Sequence, residues 1–484
     1  MEGEFDALVE RCGRVRVEVR VDSRLVRSGD IFVAVPGASQ DGAHFIPAAV
    51  AAGAGVIVCC PGIPEEAAAS EAGCQIIHHN DPREALWRLA EARWHSSKLP
   101  IRVLGITGTN GKTTCTYLLE HLFAQAGHIP GVLGTVSYRW PGYSEPAPLT
   151  TPDALSVHSM LSNMATAGVD VAVMEVSSHA IDQQRVYGVP FSGVIFTNLT
   201  QDHLDYHRDM ESYFKVKARL FLELPKSDKA MAINADDAWG RRLLELCPQA
   251  LSFGLQKTAF RRRHLWGELL SAGTEGCHLR MHFEKRQWEL RSPLVGAFNA
   301  SNLLAVQAVA LEMGFDSSVF NALESFTGVC GRLERIDNDQ GYNVFVDYAH
   351  TPDALENVLK ALRSAGFKRI ITVFGCGGNR DRTKRPLMGK AVAQWSDVAV
   401  LTSDNPRYEK PEAILEDVLP GLREARNVVV DVDRKQATIK ALNMIGKNDA
   451  LLIAGKGHED YQIVNGAKHH YSDQETVREF FHCV

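Results

Sequence analysis

A glycine-rich loop between an apolar run and a helical pattern carries the most explicit chemistry of the sequence. The apolar run covers residues 103–106 and the helical pattern covers residues 113–125. The loop itself reads Gly108-Thr109-Asn110-Gly111-Lys112-Thr113-Thr114. Glycines let backbone N–H groups approach phosphate oxygens, and a helix N-terminus favours negative charge. We therefore expect a phosphate loop in which Lys112 reaches the outer phosphates and the Thr113 hydroxyl binds Mg²⁺.

The loop departs from the usual spacing at one position, because the residue five places before Gly111 is Ile106 rather than glycine. The alternative is a Gly-Lys-Thr turn that binds no phosphate. The strand pattern before the loop and the helical pattern after it favour the phosphate loop.

Acidic and histidine side chains follow the next two apolar runs. Glu175 ends the buried-strand pattern 170–175, and His203 follows the run that ends at Thr197-Asn198. At the ends of two neighbouring strands, these groups suit a two-metal phosphoryl-transfer site, where Glu175 would meet the same Mg²⁺ as Thr113. The histidine could instead cap or fill a loop, so its role stays open at this point.

Two lysines lie on the next predicted helix, which covers residues 211–220. These are Lys215 and Lys217. An ammonium group aimed at a magnesium site is electrostatically unfavourable. The residue types alone therefore favour a surface position for both lysines.

A polar tetrapeptide follows the apolar run 398–401, and it reads Asp404-Asn405-Pro406-Arg407. Open α/β sheets bind ligands where their strands end. An acid, a carboxamide and a guanidinium offer hydrogen-bond acceptors and bidentate donors together, which suits a zwitterionic amino acid. An Asn-Pro pair after a strand is also typical of a simple turn, and this alternative remains.

The elements that must position these residues fall into three segments, which cover residues 1–98, 99–329 and 330–484. The first is a small α/β region with strands at 30–35 and 55–58 and a helix at 47–53. The second alternates strands and helices, except that charged, alternating residues at 251–295 indicate an antiparallel insertion.

The third segment contains five short apolar runs that alternate with helical patterns. This alternation predicts a Rossmann-like, doubly wound parallel sheet, so the chain is expected to be α/β throughout. The runs cover residues 343–349, 369–375, 397–403, 427–432 and 449–454.

Composition narrows the class of protein. The chain has 484 residues, of which 45% are apolar and 23% charged, with a net charge of -6, as in ordinary globular proteins. The basic run 261–263 has no interleaved aromatic residues, which favours a solvated loop over a nucleic-acid surface.

Residues 1–20 have no apolar signal region, and no apolar stretch reaches membrane-spanning length. The ten cysteines form no C-x-x-C pair, which indicates reduced thiols of a cytoplasmic protein.

Motifs along the whole chain resemble the Mur ligase family, the ATP-dependent amino-acid ligases of peptidoglycan synthesis. The matching residues occur in the family's order in all three segments. Besides the phosphate loop they are Met174-Glu175-Val176-Ser177-Ser178-His179, Thr197-Asn198-Leu199, Asp202-His203-Leu204-Asp205-Tyr206-His207, Asn234-Ala235-Asp236-Asp237, Gly296-Ala297-Phe298-Asn299 with Asn302, Gly331-Arg332 with Glu334-Arg335, and Asp347-Tyr348-Ala349-His350-Thr351-Pro352.

The resemblance implies a UDP-binding first domain, a central ATP-binding domain and a third domain for the incoming amino acid. Asp22-Ser23-Arg24 and the segments 29–34 and 41–42 resemble the family's UDP-binding domain. The uridine end would contact Val21, Ser23, Ala38, Ser39 and Gln40. The muramoyl-peptide would contact Thr150, Thr151, Ser177, Gln183 and Arg185.

The resemblance also implies the nucleotide and metal residues. ATP would contact the phosphate loop, Asn299, Asn302, Arg335 and Asp347. Two Mg²⁺ ions would be held by Thr113, Glu175, His203 and a carbamylated lysine, and the catalytic residues would be Lys112, Lys217, His203 and Glu175. Spacing from Tyr213 assigns the carbamylated position to Lys217 rather than Lys215. A carbamate would turn an unsuitable cation into a magnesium-binding anion.

Within the family, the tetrapeptide resembles that of ligases that add meso-diaminopimelate to UDP-N-acetylmuramoyl-L-alanyl-D-glutamate. Two arginines would suit the distal carboxylate of diaminopimelate, and Glu459 its distal ammonium, whereas an L-lysine pocket has no use for two guanidiniums. The diaminopimelate residues would be Arg380, Asp404, Asn405, Pro406, Arg407, Gly455 and Glu459.

The resemblance implies an acyl-phosphate mechanism that releases ADP and phosphate, in a cytoplasmic monomer whose partners are small molecules. A folylpolyglutamate-type ligase of the same fold is disfavoured by the first segment and the tetrapeptide. A GTPase switch is disfavoured because the sequence has no Asn-Lys dipeptide. An inactive nucleotide-gated scaffold is disfavoured because Glu175, His203 and Lys217 are all present.

Overall fold

The computed structural model describes residues 2–15, 17–37, 40–224, 229–257 and 263–482. The predictions for Ala38, Ser39 and the basic residues 261–262 lie outside these ranges. Contacts between Cα atoms divide the described residues into two compact units. The first unit draws on residues 1–107, 127–195 and 215–231, and the second on residues 108–126, 196–214 and 232–484.

The first unit begins with a small parallel sheet that has helices on both faces. Apolar side chains fill both faces, which explains why its inner strands read as continuous apolar runs. The strands follow each other in chain order as Val19–Arg20, Ile31–Val33, Val56–Cys59 and Gln75–His78. The α-helices are Glu2–Arg14, Ile46–Ala51, Glu66–Glu71 and Pro82–Trp94, with 3₁₀ turns at Ser23–Leu25, Gly42–Phe45 and Ser96–Lys98. The predicted α/β first segment is confirmed.

The other strands of the first unit lie in the order Phe191–Phe196, Arg102–Thr107, Val171–Glu175, Pro130–Leu133, Ser137–Trp140 and Tyr143–Pro146. Arg102–Thr107 and Pro130–Leu133 both pair in parallel with Val171–Glu175, and the last two strands pair antiparallel. Helices Ala154–Thr166 and Ser178–Asp182 and the later part of Met210–Leu222 belong to the same unit.

The second unit has a mixed sheet in the order Arg286–Ser292, Gly276–Phe283, His264–Gly273, Leu251–Gly254 and Ala230–Asn234. The first three strands pair antiparallel, as predicted. The prediction is wrong for Leu251–Gly254, which pairs in parallel with both neighbours. This strand is buried at all four positions, as parallel strands are, and it lacks the polar alternation of the antiparallel hairpins. Helices Lys112–Gln125, Leu204–His207, Ala238–Leu246 and Ala297–Glu312 and the 3₁₀ helix Ser317–Ser325 also belong here.

The second unit also contains the predicted doubly wound sheet. Its strands follow the order Glu334–Ile336, Asn343–Asp347, Asp449–Ala454, Arg369–Phe374, Val398–Leu401 and Val428–Val430, and all pairs but the first are parallel. Separate apolar clusters cover the two faces. The helices are Pro352–Ser364, Lys384–Trp395, Pro411–Val418, Arg434–Leu442 and Asp473–His482, with a 3₁₀ turn at Leu419–Leu422.

A small hairpin lies against the polar tetrapeptide in the second unit. Its strands are Tyr461–Val464 and Ala467–His470. The backbone N–H of Arg407 donates to the carbonyl of Ile463 at 2.9 Å, so the hairpin fixes the path of the tetrapeptide. Among the helices in the described ranges, none combines the length and the apolar character that a membrane crossing requires.

Candidate active site

In the second unit, neighbouring side chains pack closely against the backbone of the phosphate loop at two of its glycines. Gly108 and Gly111 have φ angles of 146° and 89°, which L side chains rarely adopt. A Cβ atom on Gly108 would lie 1.9 Å from Thr197 Oγ1, and one on Gly111 would lie 2.5 Å from Asn302 Oδ1. Both positions therefore require glycine. The helix Lys112–Gln125 begins directly after Gly111, as predicted for this loop.

Hydrogen bonds to the end of a neighbouring strand hold the loop in place. The N–H groups of Thr109 and Asn110 donate to the carbonyl and the side-chain oxygen of Asn198, each at 2.9 Å. Thr197 Oγ1 donates to the Asn110 carbonyl at 2.6 Å. Lys112 Nζ donates to the carbonyls of Gly108 at 3.0 Å and Thr109 at 2.9 Å, so its ammonium lies over the loop.

Thr113 is buried beside an arginine that carries a charge into the loop region. Its Oγ1 accepts a hydrogen bond from Arg332 Nη2 at 3.0 Å. The guanidinium of Arg332 lies 4.6 Å from the centre of the Tyr348 ring, a cation–π geometry. Arg332 belongs to a motif noted in the sequence, but nothing in the spacing of that motif predicts a position beside Thr113.

The two predicted asparagines face the loop from the start of helix Ala297–Glu312. Both are buried, and Asn302 Nδ2 donates to Asn299 Oδ1 at 3.2 Å. Asn299 Nδ2 donates to the carbonyl of Val295 at 2.9 Å. Asn302 therefore contacts the loop at Gly111, while Asn299 orients Asn302.

Asp353 is a loop contact that the sequence reasoning missed. Its Oδ2 accepts hydrogen bonds from Asn110 Nδ2 at 2.9 Å and Thr200 Oγ1 at 3.0 Å. Burial raises the pKa of this carboxyl group. The available signal was its position directly after the motif 347–352, in the first turn of helix Pro352–Ser364.

Asp347 and Arg335 lie on paired strands but in different environments. Asp347 is buried and accepts hydrogen bonds from the N–H groups of Leu333 at 2.5 Å and Ala349 at 2.6 Å. Burial raises the pKa of Asp347. Arg335 is exposed and donates to Asn343 Oδ1 at 2.9 Å, at the opposite end of the Asp347 strand.

His203 lies on an exposed turn rather than in a core. Its φ angle is 55°, and its side chain is 44% exposed, which disfavours the alternative that it fills a loop. Nε2 lies 3.4 Å from Asp202 Oδ2, and the ring meets Tyr213 edge-on at 6.2 Å. Burial opposes ionisation of Asp202, but the neighbouring His203 and His350 outweigh it, so the pKa of Asp202 is lowered.

In the first unit, Glu175 is buried at the end of strand Val171–Glu175, as the sequence predicted. Its Oε1 and Oε2 accept hydrogen bonds from the N–H and Oγ1 of Thr135, both at 2.9 Å. A Cβ atom on Gly134 would lie 2.6 Å from Oε1. Gly134 and Thr135 therefore fix the carboxylate, and neither was among the predicted site residues.

The predicted muramoyl-peptide residues come together beside Glu175. Thr151 Oγ1 donates to the Glu175 carbonyl at 2.8 Å and accepts from the Ser177 N–H at 3.0 Å. Arg185 donates to the Thr151 carbonyl at 3.1 Å and to Gln183 Oε1 at 2.6 Å.

Thr150 joins the same group of side chains through Thr135, since their Oγ1 atoms lie 3.2 Å apart. Thr135 therefore links the Glu175 carboxylate to the predicted muramoyl-peptide residues.

The two lysines of helix Met210–Leu222 differ in exposure. Lys215 is exposed, whereas Lys217 is 1% exposed and its Nζ lies 3.4 Å from Thr107 Oγ1. The surface position that residue chemistry favoured is therefore wrong for Lys217 and right for Lys215. A buried ammonium is costly.

The predicted uridine residues are only partly described. Ser23 is buried at the start of a 3₁₀ turn, where Asp22 Oδ1 accepts from the Arg24 N–H at 3.0 Å. Val21 and Gln40 are exposed. The predictions for residues 38–39 fall outside the described ranges.

The tetrapeptide in the second unit is a network rather than a simple turn. Asn405 Nδ2 donates to Glu459 Oε2 at 2.8 Å, and its Oδ1 accepts from the Ile463 N–H at 2.9 Å. Pro406 is buried next to it. Asn405 therefore joins the strand end, the hairpin and Glu459.

Lys456 is a buried charge in this network that the sequence reasoning did not assign. Its Nζ lies 3.3 Å from Glu459 Oε2, 3.4 Å from Asn405 Oδ1 and 3.7 Å from Asp404 Oδ1. Asp404 also packs closely on Gly455, where a Cβ atom would lie 2.8 Å from its Oδ2. Lys456 offsets the two acids, and Asp404 braces the base of the network.

Arg407 and Arg380 bring two positive charges to one place. Arg407 has a φ angle of 55° and donates through Nη1 to the Gly378 carbonyl at 2.8 Å. A Cβ atom on Gly377 would lie 2.8 Å from Arg407 Nη1 and 3.8 Å from Arg380 Cγ. Burial lowers the pKa of Arg407, and the charge of Arg380 lowers it further. Two like charges held this way favour an anionic ligand.

The chain matches known protein families along most of its length. Residues 17–94 match the description "Mur ligase family, catalytic domain", residues 106–310 match "Mur ligase middle domain", and residues 331–457 match "Mur ligase, glutamate ligase domain".

Individual relatives extend the likeness to nearly the whole chain. A protein of Lawsonia intracellularis named UDP-N-acetylmuramoyl-L-alanyl-D-glutamate–2,6-diaminopimelate ligase is 52% identical over 99% of this chain and 98% of its own. The protein of the same name from Gloeobacter violaceus is 46% identical over 95% of this chain and 92% of its own. A solved structure with that enzyme name has a TM-score of 0.68 at 32% identity, over 96% of this chain and 94% of its own. The chain therefore belongs to the Mur ligase family.

Proposed function

We propose that this protein is the ATP-dependent ligase that adds meso-2,6-diaminopimelate to UDP-N-acetylmuramoyl-L-alanyl-D-glutamate, in peptidoglycan precursor synthesis. The reaction forms an amide bond and releases ADP and phosphate. The observation that carries the proposal is the 52% identity, over 99% of the chain, to a protein with this enzyme name. The networks around Glu175, the phosphate loop and the tetrapeptide support it, because hydrogen bonds hold these groups in position.

The first chemical step is attack of the D-glutamyl γ-carboxylate on the γ-phosphate of ATP. Lys112 offsets the negative charge at the phosphate loop, whose backbone is fixed by Asn198. The amine of diaminopimelate then attacks the acyl phosphate, and phosphate leaves. The protein's contribution is positioning and charge neutralisation.

The proposed ligands for the two Mg²⁺ ions are Thr113 and His203 in the second unit, and Glu175 and Lys217 (as a carbamate) in the first. Three of these four residues supply hydroxyl, carboxylate and carbamate oxygens, the hard donors that Mg²⁺ prefers, and His203 supplies one imidazole nitrogen. When bound, the metal neutralises charge on the transferring phosphate. Thr135 and Gly134 hold the Glu175 carboxylate ready for this role.

The amino-acid pocket is proposed at the tetrapeptide network. Arg380 and Arg407 bind the distal carboxylate of diaminopimelate, while Glu459, oriented by Asn405, receives the distal ammonium. Buried Lys456 limits the net negative charge of this corner. A ligand without the distal carboxylate would leave two guanidiniums uncompensated, which favours diaminopimelate over L-lysine.

The proposal also includes the domain bounds, the remaining ligand contacts and the state of the enzyme. The domains are 1–98 for the UDP end, 99–329 for ATP and 330–484 for the amino acid. Val21, Ser23, Ala38, Ser39 and Gln40 contact uridine, and Asn299, Asn302 and Asp347 contact ATP. The side chain of Arg335 lies at the opposite end of the Asp347 strand, so the predicted ATP contact of Arg335 is left out of the proposal. The enzyme works as a cytoplasmic monomer on small-molecule substrates.

The activity is tested by phosphate release from the purified full-length protein. We expect release only when ATP, the UDP-muramoyl-dipeptide and meso-diaminopimelate are all present, with little release when L-lysine replaces diaminopimelate. Lys112→Ala should lower kcat by about 10²–10³-fold, because it removes a charge from the transferring phosphate. Lys215→Ala, an exposed lysine, is the control. Near-normal ADP release from Lys112→Ala, or release without an amino acid, contradicts the proposal.

Carbamylation of Lys217 is tested by chemical rescue. Lys217→Ala should lose most of its activity, and short carboxylic acids should restore part of it by supplying the missing anion. The Lys215→Ala enzyme should show neither loss nor rescue. If a folded Lys217→Ala protein responds to none of a series of acids, the carbamate assignment is wrong.

The role of Arg407 is tested by Arg407→Lys. Lysine cannot form a bidentate pair with a carboxylate, so we expect kcat/KM for diaminopimelate to fall by about 10–100-fold. The exposed Arg382, which pairs with Asp417 in the same region, provides the control Arg382→Lys. Unchanged KM and kcat for diaminopimelate in Arg407→Lys would remove this residue from the pocket.

A further inference from the structure

A cluster of metal-binding side chains lies at one edge of the small parallel sheet in the first unit, among residues to which the proposed ligase chemistry gives no role. Cys59 and His78 are the last residues of two neighbouring strands and are partners in the parallel register. Glu66 is the first residue of the helix between these strands. The strand–helix–strand connection therefore delivers a thiol, a carboxylate and an imidazole to one place.

The three groups are close enough to share an ion. One ligand atom from each residue lies within 4.8 Å of those of the other two. Cys59 is fully buried, and the side chains of Glu66 and His78 are 21% and 32% exposed. The other carboxylate oxygen, Glu66 Oε1, accepts from the Ile63 N–H at 3.1 Å, which orients the group.

The imidazole of His78 has an unusual environment. Its Nε2 lies 3.1 Å from Glu66 Oε2, an ion-pair contact and its only polar partner among the described residues. A metal ion shared by this nitrogen, the carboxylate and the nearby thiol would give the imidazole a further partner.

We propose that Cys59, Glu66 and His78 bind one zinc-like divalent ion, with a fourth coordination position open to solvent. Zn²⁺ accepts sulfur, nitrogen and oxygen donors together, whereas Mg²⁺ prefers oxygen donors and does not favour a thiolate. Zinc bonds of about 2.0–2.3 Å place ligand atoms roughly 3.3–3.8 Å apart. The Glu66–His78 pair, at 3.1 Å, is already close to this spacing, and any pair near the 4.8 Å limit would close by about 1 Å through side-chain rotations of Glu66 and His78. Three protein ligands leave the fourth position available.

The neighbouring residues of the same types are engaged elsewhere. Cys60 Sγ faces the carbonyl of Asn80 at 3.9 Å. His79 Nδ1 accepts a hydrogen bond from the Asp81 N–H at 3.1 Å. Cys60 and His79 are therefore matched controls for Cys59 and His78.

The test is a Co²⁺ titration of the full-length, reduced, metal-free protein, followed by absorption spectroscopy. We expect one equivalent of Co²⁺ to produce a thiolate-to-cobalt charge-transfer band in the near ultraviolet, which Zn²⁺ then removes. Cobalt bound by the proposed magnesium ligands would have no thiolate ligand, so it could not produce this band. Cys59→Ser should abolish the band, and Glu66→Gln or His78→Gln should weaken cobalt binding by at least about tenfold.

The controls decide between this site and other thiols. Cys60→Ser and His79→Gln should retain the band and its affinity. The proposal is overturned if saturating Co²⁺ gives no charge-transfer band, if the band survives in Cys59→Ser, or if Cys60→Ser loses it equally. Should the buried Cys59→Ser variant fail to fold, as judged by circular dichroism, unchanged cobalt affinity in Glu66→Gln and His78→Gln would overturn it instead.

Discussion

The close approach of the phosphate loop to the end of a neighbouring strand is the constraint on which the second unit's chemistry depends. No side chain fits at Gly108 or Gly111, because Thr197 and Asn302 occupy the space that a Cβ atom would need. Asn198 then fixes the loop backbone with two hydrogen bonds. Only a loop held this firmly can present its helix N-terminus and Lys112 to a phosphate chain without reorganising during the reaction.

A second theme is the distribution of buried charge. Lys456 lies among Asp404, Asn405 and Glu459, so the acids of the tetrapeptide network are partly neutralised. Burial lowers the pKa of Arg407, and the like charge of Arg380 lowers it further, more strongly than either Asp404 or Glu459 raises it. The acids are therefore partly balanced within the network, whereas the two guanidiniums favour an external anion. This asymmetry gives a physical basis for selecting an amino acid with a second carboxylate.

The sequence predicted the strands and helices that carry the site because the apolar periodicity and the glycine loop are local signals. The sequence-based predictions failed where the burial or the contacts of a side chain depend on residues that are distant in the chain. Residue chemistry alone favours a surface position for both Lys217 and Lys215, and the packed helix shows that Lys217 is buried. Thr135, Asp353 and Lys456 were missed because each contacts a residue far along the chain. These partners are Glu175, Asn110 and Asn405, respectively. The antiparallel assignment of residues 251–254 failed because four buried residues contain too little alternation to reveal strand direction.

The most direct test of the acyl-phosphate mechanism follows the oxygen atoms of the substrate. The γ-carboxylate of the D-glutamyl residue is labelled with oxygen-18, the reaction is run with ATP and meso-diaminopimelate, and the mass of the released phosphate is measured. Attack of the carboxylate on the γ-phosphate predicts one labelled oxygen in each phosphate and one in the amide product. Unlabelled phosphate would mean that water, rather than the carboxylate, attacks ATP, and would contradict ligation through an acyl phosphate.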